Sequence, residues 1–146
     1  MKTFVKTFKE LSLDELYGIL QLRSEVFVVE QDCVYQDLDG KDEKALHVIG
    51  IEKNNVVAYS RIFKPGDYFR EAAIGRVVVR KSERKYGYGH IILEASLLAI
   101  KSNFKTATVR LSAQTYLIDF YKKHGFQTNG EQYLEDNIPH INMLLN

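Results

Sequence analysis

One cysteine, Cys33, is the whole thiol content of this 146-residue chain. A lone thiol closes no internal disulfide and makes no cysteine-rich zinc site, and its presence fits a reducing compartment. Its neighbours Glu30 and Asp32 oppose thiolate formation, so Cys33 reads as a small packing residue rather than a nucleophile. No uninterrupted apolar run reaches the roughly 18 residues of a membrane span. Met1-Lys2-Thr3-Phe4-Val5-Lys6 leads into no signal-peptide core. These absences predict a cytoplasmic protein with no membrane partner. A formal net charge of +1 leaves too little basic surface for a general nucleic-acid binder. The full Gly-x-Gly-x-x-Gly of a dinucleotide fold and the Gly-Lys-Ser/Thr of a triphosphate loop are both missing. Linkers, repeats and low-complexity stretches are absent too, so residues 1–146 read as one domain.

What is present alternates between helix and strand patterns. Ser12-Leu13-Asp14-Glu15 reads as a capping box, and Leu13, Leu16, Tyr17, Leu20 and Phe27 recur at helical spacing. The pattern predicts a first helix from about residue 13 into the twenties, where the β-branched run Val26-Phe27-Val28-Val29 favours an early end. Leu46 to Ile51 and Val56 to Phe63 are strand-like and joined through Lys53-Asn54-Asn55, a turn in which Asn tolerates positive φ. Pro65-Gly66-Asp67 breaks the chain before a strand from Ala72 to Val79. A mostly apolar helix from His90 follows, with a polar stripe at His90, Glu94 and Lys101. Thr106 to Ser112 reads as a strand, Tyr116 to His124 as a helix stopped at Gly125, and Phe126 to Thr128 and His140 to Leu144 as closing strands. This order describes a mixed-sheet α/β or α+β domain.

Between the strand ending at Val79 and its following helix lies Arg84-Lys85-Tyr86-Gly87-Tyr88-Gly89. A glycine-rich strand-to-helix turn lets successive N–H groups face one anion, and the helix start adds partial positive charge. A side chain at Gly87 or Gly89 would hold a pyrophosphate off the backbone. The plain alternative is a tight turn without a ligand.

Arg-x-x-Gly-x-Gly after a strand resembles the coenzyme A pyrophosphate loop of the GCN5-related N-acetyltransferases (GNAT). A second signature of that family, Phe-Tyr-x-x-x-Gly-Phe, matches Phe120-Tyr121-Lys122-Lys123-His124-Gly125-Phe126, and the two occur in the family's order. Leu20 to Gln31, Tyr35 to Gly40 and Ile138-Pro139-His140-Ile141-x-Met143 resemble the ElaA-like branch, so the likeness covers nearly the whole chain. Arg23-x-x-Val26-Phe27 is also similar to the acyl-homoserine-lactone synthases. The resemblance implies a single GNAT acyl-CoA N-acyltransferase domain, with a central mixed, mostly antiparallel sheet flanked by helices. It implies acetyl-CoA as acyl donor, no metal, and a primary amine as acceptor. Carried onto this sequence, it has backbone groups of Val77 and Val79 pair with the pantetheine arm. The amides of Arg84, Lys85, Tyr86, Gly87, Tyr88, Gly89 and His90 would hold the pyrophosphate. Gln114 stands where the family commonly has an Asn that bonds the pantetheine, and Tyr121 where it places the general acid.

Acetyl transfer from a thioester to an amine needs a neutral amine, stabilisation of a developing oxyanion and a proton for the leaving sulfur. A phenol suits the last task, because its ordinary pKa of about 10 lies near that of an alkyl thiol. An isolated Tyr121 would read as core packing; its place before the glycine-capped turn favours catalysis. Glu30, His47 and His140 are the candidate bases. Each also has a plain structural reading: Glu30 as a helix-end hydrogen-bond partner, His47 as an outward strand residue, and His140 as a strand start fixed after Pro139. A relay through water is the further alternative.

Charge is unevenly distributed. Glu30, Asp32, Asp37, Asp39, Asp42 and Glu43 crowd one segment, whereas Arg80 to Lys85 is strongly basic. If the acidic segment borders the acceptor site, as the resemblance implies, Asp37, Asp39, Asp42 and Glu43 predict a cationic acceptor: a polyamine-like amine or a peptide amine. A solvated acidic loop is the alternative. Asp37-x-Asp39-Gly40 is no calcium loop, since its glycine comes two positions too early for an EF-hand. Two competing classes stay open, a non-catalytic CoA-binding regulatory module and a partner-binding α/β domain. Both monomer and homodimer are compatible with the sequence.

Overall fold

The computed structural model describes residues 1–146. The capping box at Ser12 forms in full: Glu15 N–H donates to Ser12 Oγ at 3.0 Å, and Ser12 N–H donates to Glu15 Oε1 at 2.8 Å. It starts α1 (Leu13–Arg23). The β-branched run does not end this helix. It widens into π turns over Ser24–Glu30, with the N–H groups of Gln31 and Cys33 reaching the carbonyls of Val26 and Val28 at 3.1 and 3.0 Å. Val26 is buried there and Phe27 packs beside the same core, so tertiary contact overrides the weak local propensity.

Eight strands form one sheet: β1 (Lys2–Thr7), β2 (Leu46–Glu52), β3 (Asn55–Phe63), β4 (Ala72–Val79), β5 (Val109–Gln114), β6 (Gln127–Thr128), β7 (Tyr133–Glu135) and β8 (Ile138–Leu145). Their order is β1-β2-β3-β4-β5-β8-β6, and β7 also pairs with β8. All pairings are antiparallel except β4 with β5. The β2–β3 hairpin turns through Lys53 and Asn54, both at positive φ (50° and 65°). Such a turn matches the twist of the strands it joins. β1 and β7 were not foreseen: β1 is a largely exposed edge strand without a buried stripe, and β7 is three residues long.

α2 (Tyr88–Phe104) and α3 (Ile118–Lys122) cover one face of the sheet, over a core that includes Ala58, Ile62, Ile92, Leu93, Leu111 and Tyr121. Ser60 on β3 bonds Ser96 of α2 through their hydroxyls. Strand side chains alternate, so Tyr59 and Arg61 face the other way, toward α1 and the segment that follows it. The predicted helix from Tyr116 opens as a 3₁₀ turn over Thr115–Leu117 and ends at Lys122, two residues before the expected His124, with a turn through Gly125 at φ +93° after it. No helix is long and apolar enough to cross a membrane.

Candidate active site

β4 and β5 pair only at Ala72↔Val109 and Ala73↔Arg110, then diverge. The rest of β4 therefore has β3 on one side and a cleft of about 480 Å³ on the other. Arg80 N–H donates to Val57 O at 2.8 Å, so by alternation the peptide groups of Val79 point away from β3 toward the cleft, and Val77, beside a bulge in β4, lines the same cleft. Val79 O already accepts from Arg84 Nε at 3.1 Å, which leaves its N–H as the free group. An unpaired strand edge of this kind can take an extended amide-bearing chain as an extra strand.

The glycine loop sits at the end of that edge. Residues Lys81–Tyr86 form 3₁₀ turns, Gly87 is left-handed at φ +70°, and α2 begins at Tyr88 with no side-chain cap. The first-turn N–H groups of a helix have no intrahelical acceptor, so this start is ready to face an anion. A Cβ at Gly87 would have no protein atom within 4 Å, consistent with open space for a ligand. Gly89 is different. A Cβ there would lie 3.3 Å from the Phe120 ring, so Gly89 lets α2 approach α3. His90 N–H is 3.2 Å from Gly87 O within the first turn, and the His90 ring lies 2.8 Å from His124 Nε2 through its Nδ1. Burial and the neighbouring imidazole hold His124 below the usual histidine range.

Of the loop residues, Arg84, Gly87, Gly89 and His90 line the cleft, and Lys85, Tyr86 and Tyr88 do not. The Tyr88 hydroxyl reaches Glu52, and Lys85 lies over the Tyr86 ring. Arg84 forms a two-pronged pair with Glu30 at 2.6 and 2.9 Å. That contact changes one expectation: Glu30, with both oxygens bonded, ties the π end of α1 to the loop and is not placed as a base, while the Arg84 guanidinium is fully occupied.

His47 is also removed from the list of bases. It is buried outside the cleft, with Nδ1 2.6 Å from the Tyr59 hydroxyl and Nε2 2.9 Å from Asp42 O, and burial lowers its pKa. The alternation of β2 points it inward, opposite to the outward orientation its sequence context suggested.

His140 does line the cleft. Its Nδ1 lies 2.7 Å from Ile138 O, and a carbonyl only accepts, so Nδ1 carries a proton and Nε2 is the atom left to receive one. Glu135 Oε2 stands 3.3 Å from that Nε2. Beside it, Tyr133 stacks on the His140 ring and bonds the hydroxyl of Ser112. Glu135 and Ser112 were not singled out in the sequence; the Asp136-Asn137 pair between β7 and β8, both at positive φ, was the turn signal that could have revealed them.

Tyr121 sits across the sheet on the α3 side, 5% exposed, lining the cleft with no protein hydrogen bond to its hydroxyl. Burial pushes its pKa up, which keeps it protonated. Gln114 also lines the cleft, where it exchanges long amide bonds of 3.3 and 3.4 Å with Gln31. Cys33 lines the cleft too, and its Sγ contacts Asp136 O.

The acidic segment is not an open acidic surface. Asp42 Oδ1 is 2.7 Å from Arg23 and 3.0 Å from Arg61, Asp37 Oδ2 is 2.8 Å from Arg23 Nε, and Asp39 pairs with Arg61 at 2.5 Å. Arg76 lies 2.8 Å from Asp37 and 3.6 Å from Asp39. Three aspartates thus neutralise three arginines, of which Arg23 and Arg61 are 0% and 1% exposed. Burial works against the charge on Asp39 and Asp42, but the guanidinium bonds win and hold both carboxyls below their usual range. The predicted attraction of a cationic acceptor by Asp37, Asp39 and Asp42 loses its basis. Arg76 itself occupies a bulge in β4 at φ +52°. A left-handed conformation costs a side-chain-bearing residue about 1–2 kcal/mol. The bulge re-aims its side chain out of the strand's alternation.

The sheet is splayed between two parallel strands, with an uncapped helix start at the mouth of the gap and a buried phenol across it. Residues 7–146 match the family model of the acetyltransferase (GNAT) domain. Protein ElaA of Escherichia coli (strain K12) is 42% identical over 136 residues, covering 92% of this chain and 89% of ElaA, and its crystal structure superposes with a TM-score of 0.91 over the full length of both. An acyl-CoA N-acyltransferase from Pseudomonas aeruginosa superposes at a TM-score of 0.94 and 40% identity over all of both chains. A CoA-dependent acyl-homoserine lactone synthase shares the fold at 16% identity and a TM-score of 0.75, over 97% of this chain and 80% of the synthase. The chain belongs to the GNAT acetyltransferase family, in its ElaA-like branch.

Proposed function

We propose that this protein is an N-acetyltransferase that moves the acetyl group of acetyl-CoA to a primary amine, in the cytoplasm, as a monomer or homodimer. The observation that carries the reading is the meeting of the open β4 edge, the uncapped start of α2 and the Tyr121 hydroxyl at one cleft. The residues fit the donor. The edge groups of Val77 and Val79 would take the pantetheine, with the Gln114 amide nearby, and the amides from Gly87 to Gly89 would face the pyrophosphate. When bound, the donor supplies an activated acyl carbon and a thiolate leaving group.

The chain's own groups would do the rest. His140 Nε2 accepts the proton that the amine must lose, and Glu135 stabilises the resulting imidazolium. Tyr121, protonated and free of competing bonds, delivers a proton to the departing sulfur. This pairing of a candidate acid and a candidate base on opposite sides of one gap favours an enzyme over a regulatory CoA-binding module. The test is Tyr121→Phe: CoA affinity is kept while turnover falls about 10²–10⁴-fold, the usual worth of a general acid. With an activated thioester, whose leaving group needs no proton, the deficit shrinks. An equal loss with both thioesters assigns Tyr121 to packing.

A further inference from the structure

We infer that the acceptor is an amino acid with an apolar side chain, bound as a zwitterion across the cleft. The inference rests on the acetyl-transfer reading and narrows its acceptor.

Arg61 and Arg76 line the cleft, whereas their partners Asp37, Asp39 and Asp42 do not. The carboxylates stand outside the lining, and Arg76, with a side chain 19% exposed, is the guanidinium a ligand can reach. Arg76 Nη1 has no protein partner, and Arg61 Nε, in a side chain 1% exposed, is buried without one. The opposite wall carries the other sign: Glu135, Asp136 and His140 all line the cleft.

Alternation places Ser112 and His140 on the α1 side of the sheet, since Leu111, Ala113 and Ile141 belong to the core under α2. The arginines and the His140–Glu135 pair therefore address the same half of the cleft. An ammonium at His140 and Glu135 with a carboxylate at Arg76 satisfies both walls. Tyr35, Phe63 and Tyr68 line this half as well, which suits an apolar side chain.

The step balances. The ammonium gives one proton to His140 Nε2; the neutral amine then forms the C–N bond to the acyl carbon and sheds its second proton to solvent as the C–S bond breaks and sulfur takes its proton from Tyr121. Products are an N-acetyl amino acid, CoA and one proton, and solvent returns the Tyr121 proton as His140 releases its own.

The test compares thiol release from acetyl-CoA with leucine and phenylalanine against their amides, against 3-methylbutylamine and phenethylamine, and against spermidine. The inference expects kcat/KM roughly 10–100-fold higher for the amino acids, the value of a charge-assisted carboxylate bond. Arg76→Gln should raise the amino-acid KM and collapse the selectivity over the decarboxylated amines, while the acetyl-CoA-induced rise in Tm persists. Equal rates without the carboxylate, a preference for spermidine, or no turnover of any amino acid by a protein that binds acetyl-CoA overturns the inference and leaves the acetyl-transfer reading standing. Absence of acetyl-CoA binding overturns both.

Discussion

Replacing Asp42 with alanine isolates the network that holds the segment after α1 against the sheet. One carboxylate oxygen serves two guanidiniums, Arg23 at 2.7 Å and Arg61 at 3.0 Å, and both arginines are essentially inaccessible to water. Each charge-assisted bond is worth about 1.5–3 kcal/mol, and breaking a buried ion pair costs about 3–5 kcal/mol because the remaining charge stays buried. A domain of this size has about 7–20 kcal/mol of total stability. At about 2–4 °C per kcal/mol, Tm should fall by roughly 6–20 °C. Acid should act on the same groups. Asp39 and Asp42 titrate below their unfolded values, so the stability they contribute is fully present above about pH 4 and is lost as pH falls through the folded values. Urea unfolding of wild type and Asp42→Ala at pH 7 and pH 3 measures both effects, and the variant should lose less on acidification. A variant within 2 °C of wild type, with an acceptor KM raised instead, would refute the network and restore the open acidic surface.

Two further substitutions separate the roles of the loop glycines and of the base. Gly87→Asp places a carboxylate in open space before the helix start and should abolish the acetyl-CoA-induced Tm rise, whereas Gly89→Ala meets the Phe120 ring, lowers Tm itself and keeps the induced rise. Differential scanning fluorimetry with and without acetyl-CoA distinguishes them. His140→Asn should lower kcat about 10²-fold at neutral pH with CoA affinity unchanged, and recover as pH rises and the amine loses its proton unaided. A flat pH–rate comparison with wild type excludes His140 as base.

The glycine loop and the turn after α3 were legible because their signals are local. Arg84 to Gly89 and Phe120 to Phe126 lie in single segments, and the turns at Asn54 and Gly125 announce themselves by residues that tolerate positive φ. What was misread depends on partners distant in sequence. The aspartates at 37, 39 and 42 look like surplus charge along the chain, yet their arginines arrive from positions 23, 61 and 76. The early end expected for α1 failed for the same reason, since Val26 packs against the sheet and Glu30 against Arg84. His47 and His140 face the same side of the sheet, and only the strand order, with β2 away from the cleft and β8 beside it, separates them. The divergence of β4 from β5 has no sequence signature at all, because both strands remain good strands and only their pairing stops.

The account's central claim is that the open β4 edge and the start of α2 receive acetyl-CoA. Amide hydrogen exchange with and without acetyl-CoA tests it most directly. The N–H groups of Val77, Val79, Gly87 and Gly89 should slow markedly on addition, since each gains an acceptor that the free protein does not offer, while the paired amides of β2 and β3 change little. Protection confined to other segments, or none at ligand concentrations that saturate thiol release, would contradict the account.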